Sequence, residues 1–392
     1  YAEFIFGGPN LLDIPPDSPN TWYGPLRNFN RRCGACHVTN FAANYDPEQG
    51  TFASTWSELV IGCEACHGAG GSHVDKWRNL TDEPEPLIDL ALLPPDRANQ
   101  NCGFCHSESV VVRPGFKPGD DLFAFNEINA LEDAVRSKPD GRANGLFHNL
   151  ILVMEAKCGE LSCMECHDPH GGGIPGDLYR ELEWDGLCTK CHGDLMADIA
   201  AHTFHRGDSP GSRCVNCHLA PVVIEAGRGT VRDHTISTPS PRNSRKYGLP
   251  NACVECHLAE PPGWVEEWFE RWWPGAEDRN HRTKLCDALF AGRENRPGAR
   301  ALLEPLAHDP NPVYRAAAVW ELGGTGLDLR PWLRDDHALV QRGAIDGVAK
   351  THPEALEPML SHPNPVLRGA AAEALATKRV NAPFDWMRDR PA

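Results

Sequence analysis

Apolar and polar residues follow three different rhythms along this 392-residue chain. From about residue 297 to 378, small and apolar residues recur with helical spacing, interrupted at intervals by Asp, Asn and Pro. Asp309-Pro310-Asn311-Pro312-Val313-Tyr314-Arg315-Ala316-Ala317-Ala318 returns as His362-Pro363-Asn364-Pro365-Val366-Leu367-Arg368-Gly369-Ala370-Ala371. A weaker copy, Asp336-His337-Ala338-Leu339-Val340-Gln341-Arg342-Gly343-Ala344, lies between them, and the arginines fall 27 and then 26 residues apart. Each copy reads as a turn opening a helix, with a second helix completing the pair. Units of that period bury their apolar faces only by stacking, which predicts a short α-solenoid. Ahead of it, Trp264, Trp268 and Trp272, with Phe269 and Trp273, recur at helical spacing and share one stripe. That stripe is either a packing face against the preceding region or an exposed docking surface. Residues 33–257 are rich in Gly and Pro and poor in long periodic patterns, so short helices and much irregular loop are expected there. Residues 1–32 are rich in Pro and Asn, with a short apolar opening, Phe4-Ile5-Phe6-Gly7-Gly8.

The middle region owes its character to cysteine. Fourteen of the 16 cysteines stand in pairs three residues apart, each pair followed at once by histidine. The sets are Cys33/Cys36/His37, Cys63/Cys66/His67, Cys102/Cys105/His106, Cys163/Cys166/His167, Cys188/Cys191/His192, Cys214/Cys217/His218 and Cys253/Cys256/His257. This is the attachment signature of c-type haem: two thiols add across the vinyl groups and the adjacent imidazole becomes the proximal iron ligand. Zinc sites pair two such half-sites and need no histidine directly after the second cysteine. At a random frequency of about 5%, seven consecutive histidines would arise about once in a billion trials. Seven haems c are therefore expected. Their macrocycles would supply the buried apolar area that a loop-rich chain lacks, leaving the apoprotein of this region unfolded. The divisions follow: 1–32, an N-terminal segment packing on the haem domain; 33–260, the haem domain; 261–296, a Trp-rich linking helix; and 297–392, the helical repeats. The fold class is mainly α with much irregular loop.

Covalent haem attachment takes place outside the bacterial cytoplasm, so an extracytoplasmic (periplasmic, cell-surface or extracellular) location is expected. No secretory leader is visible at Tyr1, as expected of a mature or trimmed chain, and no run of 18 or more apolar residues predicts a transmembrane segment. The net charge of −16 argues against nucleic-acid binding and would steer cationic partners toward the surface, or simply maintain solubility.

An iron that only carries electrons needs a second axial ligand. Ahead of the repeats the histidines outside the motifs are His73, His148, His170, His202, His205, His234 and His281, seven candidates for seven irons. His170 follows His167 too closely to wrap to the far side of the same haem and should serve a neighbour; the same holds for His73 after His67. His202 and His205 could feed two different irons, and His234 is within reach of the sixth or seventh haem. Met154, Met164 and Met196 are alternates whose ligation would raise a haem potential. Cys158 and Cys286 read as buried small residues, with a disulfide or haem ligation as alternatives, and His308, His337 and His362 as structural residues of the repeats.

Several segments carry a family resemblance: Arg32-Cys33-Gly34-Ala35-Cys36-His37-Val38-Thr39, Ile61-Gly62-Cys63-Glu64-Ala65-Cys66-His67-Gly68 with Ser72-His73-Val74, Cys163-Met164-Glu165-Cys166-His167-Asp168-Pro169-His170-Gly171, and Leu249-Pro250-Asn251-Ala252-Cys253. Together they resemble bacterial multihaem cytochromes c related to the tetrahaem and octahaem cytochromes of nitrogen metabolism, in versions with C-terminal TPR or HEAT-type repeats. The resemblance implies closely packed haem pairs and electron transfer in the periplasm or at the cell surface. Many relatives carry a further motif upstream. The lysine-ligated haem of the nitrite reductases has no counterpart here, since all seven motifs end in His. The expected function is electron transfer between redox partner proteins, other cytochromes among them. Two alternatives are a subunit of a conductive extracellular filament formed by self-association, and a multihaem reductase or oxidase of a small nitrogen or sulfur compound at one five-coordinate haem.

Overall fold

The computed structural model describes residues 28–128, 148–156, 158, 161–171, 173–174, 176–180, 185–223, 230–276 and 280–381. Expectations for residues 1–27, most of the N-terminal segment, lie outside the described residues. Sheet among the described residues is limited to three two-stranded antiparallel hairpins. They pair Tyr45–Asp46 with Thr51–Phe52, Ser109–Val111 with Asn126–Ile128, and Pro221–Val223 with Thr230–Arg232. No helix among the described residues is long and apolar enough to cross a membrane.

In the motif-bearing part the helices are short, because Gly and Pro punctuate the chain. Gly34–His37, Glu64–His67 and Thr189–His192 are single turns, and Pro95–Gly103 reaches only nine residues. Beyond residue 280 the helices lengthen to His281–Arg293, Ala299–Leu306, Pro312–Leu322, Ala338–Thr351 and Pro365–Asn381, each packed against the next. Leu285, Leu289, Leu303, Leu322 and Ile345 are fully buried among them, each worth about 1.5–3 kcal/mol relative to exposure.

The repeat departs from its sequence reading in two ways. The second helix of the later copies shrinks to 3₁₀ turns, Arg330–Arg334, Pro353–Leu356 and Pro358–Ser361. A proline begins or nearly begins each of them, and one helix already consumes half of the short period. The middle copy is also registered one residue earlier than its arginine suggests. Arg315 and Arg368 each donate from Nη1 to two carbonyls at the start of their copy: Asp309 O and Pro310 O at 2.7 and 3.3 Å, and His362 O and Pro363 O at 2.6 and 3.1 Å. In the middle copy that role falls to Gln341, whose Nε2 donates to Asp335 O at 2.6 Å.

The repeats do not stand apart from the motif-bearing part. Leu122, Phe123, Ile128, Leu150 and Ile151 belong to the same apolar core as the C-terminal helices. Asn311 and Asn364, at matching repeat positions, each cap their helix with Oδ1, accepting from Val313 N at 2.9 Å and Val366 N at 2.8 Å. With Nδ2 they grip the earlier chain, donating to Met154 O at 2.6 Å and Phe123 O at 3.0 Å. Tyr314 donates to Glu155 O at 3.2 Å, and Arg342 pairs with Glu127 at 2.7 Å. His337 accepts from Leu339 N at 3.2 Å and so caps its helix, while His362 accepts from Asn364 N at 3.1 Å and braces the residue that caps the next. Cys286 is buried in this core as expected; Cys158 is exposed, because it sits in a loop beside the motifs rather than under a helix.

Candidate haem site

Each motif folds as one helical turn. In the second, third, fourth, fifth and seventh, the histidine N–H donates to the first cysteine's carbonyl at 2.9–3.0 Å, and the second cysteine's N–H to the same carbonyl at 3.2 Å. Residues i, i+3 and i+4 of such a turn share a face, so both thiols and the imidazole project the same way. Polar side chains that no motif pattern marks, two of them buried, hold these turns. Asn99 accepts from Cys163 N at 2.8 Å and donates to Leu161 O at 2.7 Å, tying the segment before the third motif to the fourth. Asp185, 2% exposed, accepts from Cys214 N at 3.0 Å while its carbonyl starts the fifth motif's turn, so it joins the fifth to the sixth. Arg232 donates to Val215 O, Leu219 O and Asn216 Oδ1 at 3.1–3.3 Å, closing the end of the sixth. The first and third motifs touch: Cys36 Sγ lies 3.8 Å from Phe104 O, and Cys105 Sγ 3.9 Å from Cys36 O.

The motifs surround one continuous cavity of about 2830 Å³, lined by at least one cysteine from every motif and by His67, His106, His167, His192, His218 and His257. Apolar side chains open onto it, Ile61 and Leu195 being 51% and 40% exposed. A pocket for one cofactor-sized ligand spans about 300–1,000 Å³, so this space suits several.

Around the cavity the fold brings imidazoles in pairs, all but His170 among its lining residues. His67 faces His170 at 6.0 Å between ring centres with planes 19° apart, His167 faces His234 at 6.3 Å and 21°, and His218 faces His202 at 6.3 Å and 19°. His257 faces His205 at 6.1 Å and 47°. Such spacing is too wide for ring stacking. It matches two metal–imidazole bonds of about 2.0–2.1 Å plus about 1.1 Å from each nitrogen to its ring centre. Backbone carbonyls set the tautomer. Because a carbonyl only accepts, Nδ1–H donates in His67 to Ile88 O (2.7 Å), His167 to Gly176 O (2.8 Å), His218 to Ser237 O (3.1 Å), His234 to Arg232 O (2.9 Å) and His205 to Thr203 O (2.6 Å). Nε2 is left with its lone pair, the form that binds metal. Burial pushes His106, His218 and His234 below the ordinary imidazole value, which keeps them neutral. The thiols, the paired imidazoles and the cavity fit c-type haem.

The remaining candidates stand differently. His73, on the helix Gly71–Asn79, donates from Nδ1 to Glu85 Oε1 at 2.6 Å; that bond holds the Glu85 carboxyl down at about 2. A carboxylate on Nδ1 is the usual support of a metal-binding imidazole. His148 is fully buried at the start of the helix Asn149–Met154, its Nε2 3.4 Å from Glu108. The same helix donates from Leu150 N to His106 O at 3.3 Å. His281 departs from its expected place beside the motifs. It opens the helix His281–Arg293, its ring lies 5.2 Å from Tyr314 and its Nε2 2.8 Å from Asp309, because that helix turns its first residue into the repeats. His234 also departs: the hairpin Pro221–Val223/Thr230–Arg232 folds it back to the fourth motif rather than to the sixth or seventh.

Residues 156–197, which hold the fourth and fifth motifs, match the family described as the doubled CXXCH motif. The chain is similar to the dissimilatory sulfite reductase MccA of Wolinella succinogenes, 24% identical over 227 residues that make up 48% of this chain and 27% of the relative. It is also similar to the multihaem cytochrome MtrA of Shewanella baltica, 26% identical over 147 residues, 34% of this chain and 42% of the relative. The matches thus span less than half the length of either curated relative. No solved structure matches. The doubled-motif match and these relatives agree with the repeated attachment turns and the cavity they enclose: the chain is a multihaem c-type cytochrome.

Proposed function

We propose that the chain carries electrons one at a time through seven covalently held haems c, mostly bis-histidine ligated, between redox partner proteins outside the cytoplasm. When bound, each haem supplies a one-electron iron couple; the protein's part is to attach it, fix its ligands and set its solvent access. The observation that carries the reading is the set of four imidazole pairs at 6.0–6.3 Å. In it the distal rings come from other motifs' neighbourhoods: His170 serves the second motif, His234 the fourth, His202 the sixth and His205 the seventh. His170 stands three residues from His167, so a short peptide link holds the haems of the second and fourth motifs together; His202 and His205 do the same for the sixth and seventh. His73 and His148 remain ligands for irons of the other motifs. The C-terminal helices act as a HEAT-like scaffold that grips the haem-bearing chain through Asn311, Tyr314, Arg342 and Asn364.

The test is a spin count in the holoprotein after pyridine haemochrome analysis has returned seven haems. His170→Gly and His234→Gly should each convert one low-spin iron to high spin, and the double variant two. Unchanged spectra, or one high-spin iron in the double variant, would falsify the assignment. A second reading is favoured by His281, whose contact with Asp309 draws one of the seven expected ligands into the repeats. On that reading one iron keeps an open position for a small anion, in line with the sulfite reductase name of one relative. A high-spin iron in the unaltered protein that binds cyanide or sulfite would support it.

A further inference from the structure

The helix Trp264–Trp272 lies across the seventh motif's imidazole pair. Trp264 packs on His257, with ring centres 4.9 Å apart and planes at 37°. Trp272 stands 6.2 Å from His205 at 70°, and it stacks on Phe204 at 5.2 Å with planes 2° apart. Trp273 meets Phe204 edge-on at 5.4 Å, and its Nε1–H donates to His202 O at 3.0 Å.

Phe204 explains why two tryptophans gather there. Its φ of +57° is a left-handed conformation that a bulky residue adopts only when its surroundings hold it. It ends the helix Ile199–Thr203 and turns the chain between His202 and His205, so that one ring faces His218 and the other His257. The seventh motif's pair also differs from the other three. Its planes are 47° apart where theirs are 19–21°.

We propose that the tryptophan helix is a clamp on the axial ligands of the seventh motif's haem. Trp264 fixes the proximal ring, while Trp272 and Trp273 lock the turn that aims the distal ring. The clamp holds the two imidazoles out of parallel and makes this iron distinct in spectrum and potential from the others. Ring orientation sets the splitting of the iron d orbitals, and packing around the ligands sets solvent access; both are levers on potential. The inference rests on the bis-histidine reading and deepens it. Trp264, Trp272 and Trp273 are positioning residues, since they act through His257 and His205.

Low-temperature electron paramagnetic resonance and potentiometric titration of the holoprotein test this. The unaltered protein should show one low-spin component, about one-seventh of the total, displaced from the rest toward higher maximal g. Trp264→Leu should move that component and the potential of one iron alone; Trp272→Leu, which loosens the turn shared with His202, should move it too, with any further change confined to the sixth motif's iron. Trp264→Phe keeps a smaller ring on the same face and should give the same shift in smaller measure, which preserves the test if leucine disturbs the helix. Spectra and titration curves that superimpose on the unaltered protein's in all three variants overturn the clamp, as does a change spread evenly over all components. The mass of the peptide carrying Cys253 and Cys256 separates the two levels of the argument. A missing haem adduct there overturns the underlying reading; an adduct with unmoved spectra overturns only the clamp.

Discussion

Arg282 and Glu155 form a buried ion pair, Nη2 to Oε2 at 2.9 Å, with side chains 5% and 1% exposed. Glu155 closes the helix Asn149–Met154, which carries His148 at its start and holds the third motif through Leu150; Arg282 stands near the start of the helix His281–Arg293. The pair therefore welds the motif-bearing part to the C-terminal helices. Arg282→Met takes the paired cation from a carboxylate that is 1% exposed, and breaking a buried pair from one side costs about 3–5 kcal/mol. Set against a total stability of about 5–15 kcal/mol, that is a large loss. With a urea dependence of about 3 kcal/mol per M, the unfolding midpoint should fall by roughly 1–2 M. The double variant Arg282→Met/Glu155→Leu replaces both charges by apolar groups and should return close to the unaltered midpoint. Unfolding is followed by far-ultraviolet circular dichroism and by the Soret band. Because one core spans both parts, the two probes should move together in the single variant. A loss below about 1 kcal/mol, a double variant as damaged as the single, or a Soret transition that stays put while the helices melt would refute the weld.

Asn99→Ala should cost about 1–3 kcal/mol, because it strips the fourth motif's first amide and the Leu161 carbonyl of their buried partner; thermal melts of the holoprotein measure it. If His73 ligates an iron as proposed, Glu85→Gln should raise that iron's potential by an amount on the order of tens of mV, since a neutral amide makes the imidazole a weaker donor; redox titration reads the shift, and an unmoved titration removes His73 from the proposed ligand set. His337 titrates against the fold. Burial holds it below its ordinary value, and its Nδ1 accepts from Leu339 N. The stability it contributes is complete above about pH 6.5, its unfolded value, and is lost as pH falls toward its depressed folded value. His337→Asn keeps the cap without the proton site, so the melting-temperature difference between variant and parent should shift in the variant's favour on acidification.

What the sequence discloses here depends on how local the chemistry is. Two thioether bonds and a proximal ligand must come from five consecutive residues, so attachment leaves a mark that any reader of the chain can find. A distal ligand has no such constraint. Spacing argues against His170 serving its own motif's haem because three residues cannot circle a macrocycle, yet the ring it faces, that of His67, is visible only once the fold is known. His234 shows the limit more sharply. Its nearest motifs in sequence are the sixth and seventh, and a hairpin of three residues per strand carries it back to the fourth. Spacing suggests that His202 and His205 part company, and their rings do face His218 and His257 separately, but the device that parts them, a left-handed Phe204 against Trp272 and Trp273, leaves no periodic signal. Asn99, Asp185 and Arg232 were missed for the same reason: a single polar residue in a loop looks like solvent-facing punctuation until its partners are seen. The repeats invert the case. Their small and apolar residues announce the helices, but nothing in the repeated segments themselves marks Pro353 and Pro358, which deny the second helix its length. The tryptophan stripe joins both kinds of signal. Its spacing foretold a helix with one aromatic face, and only the rings of His257 and His205 beneath that face turn a packing element into a determinant of one iron's electronic state.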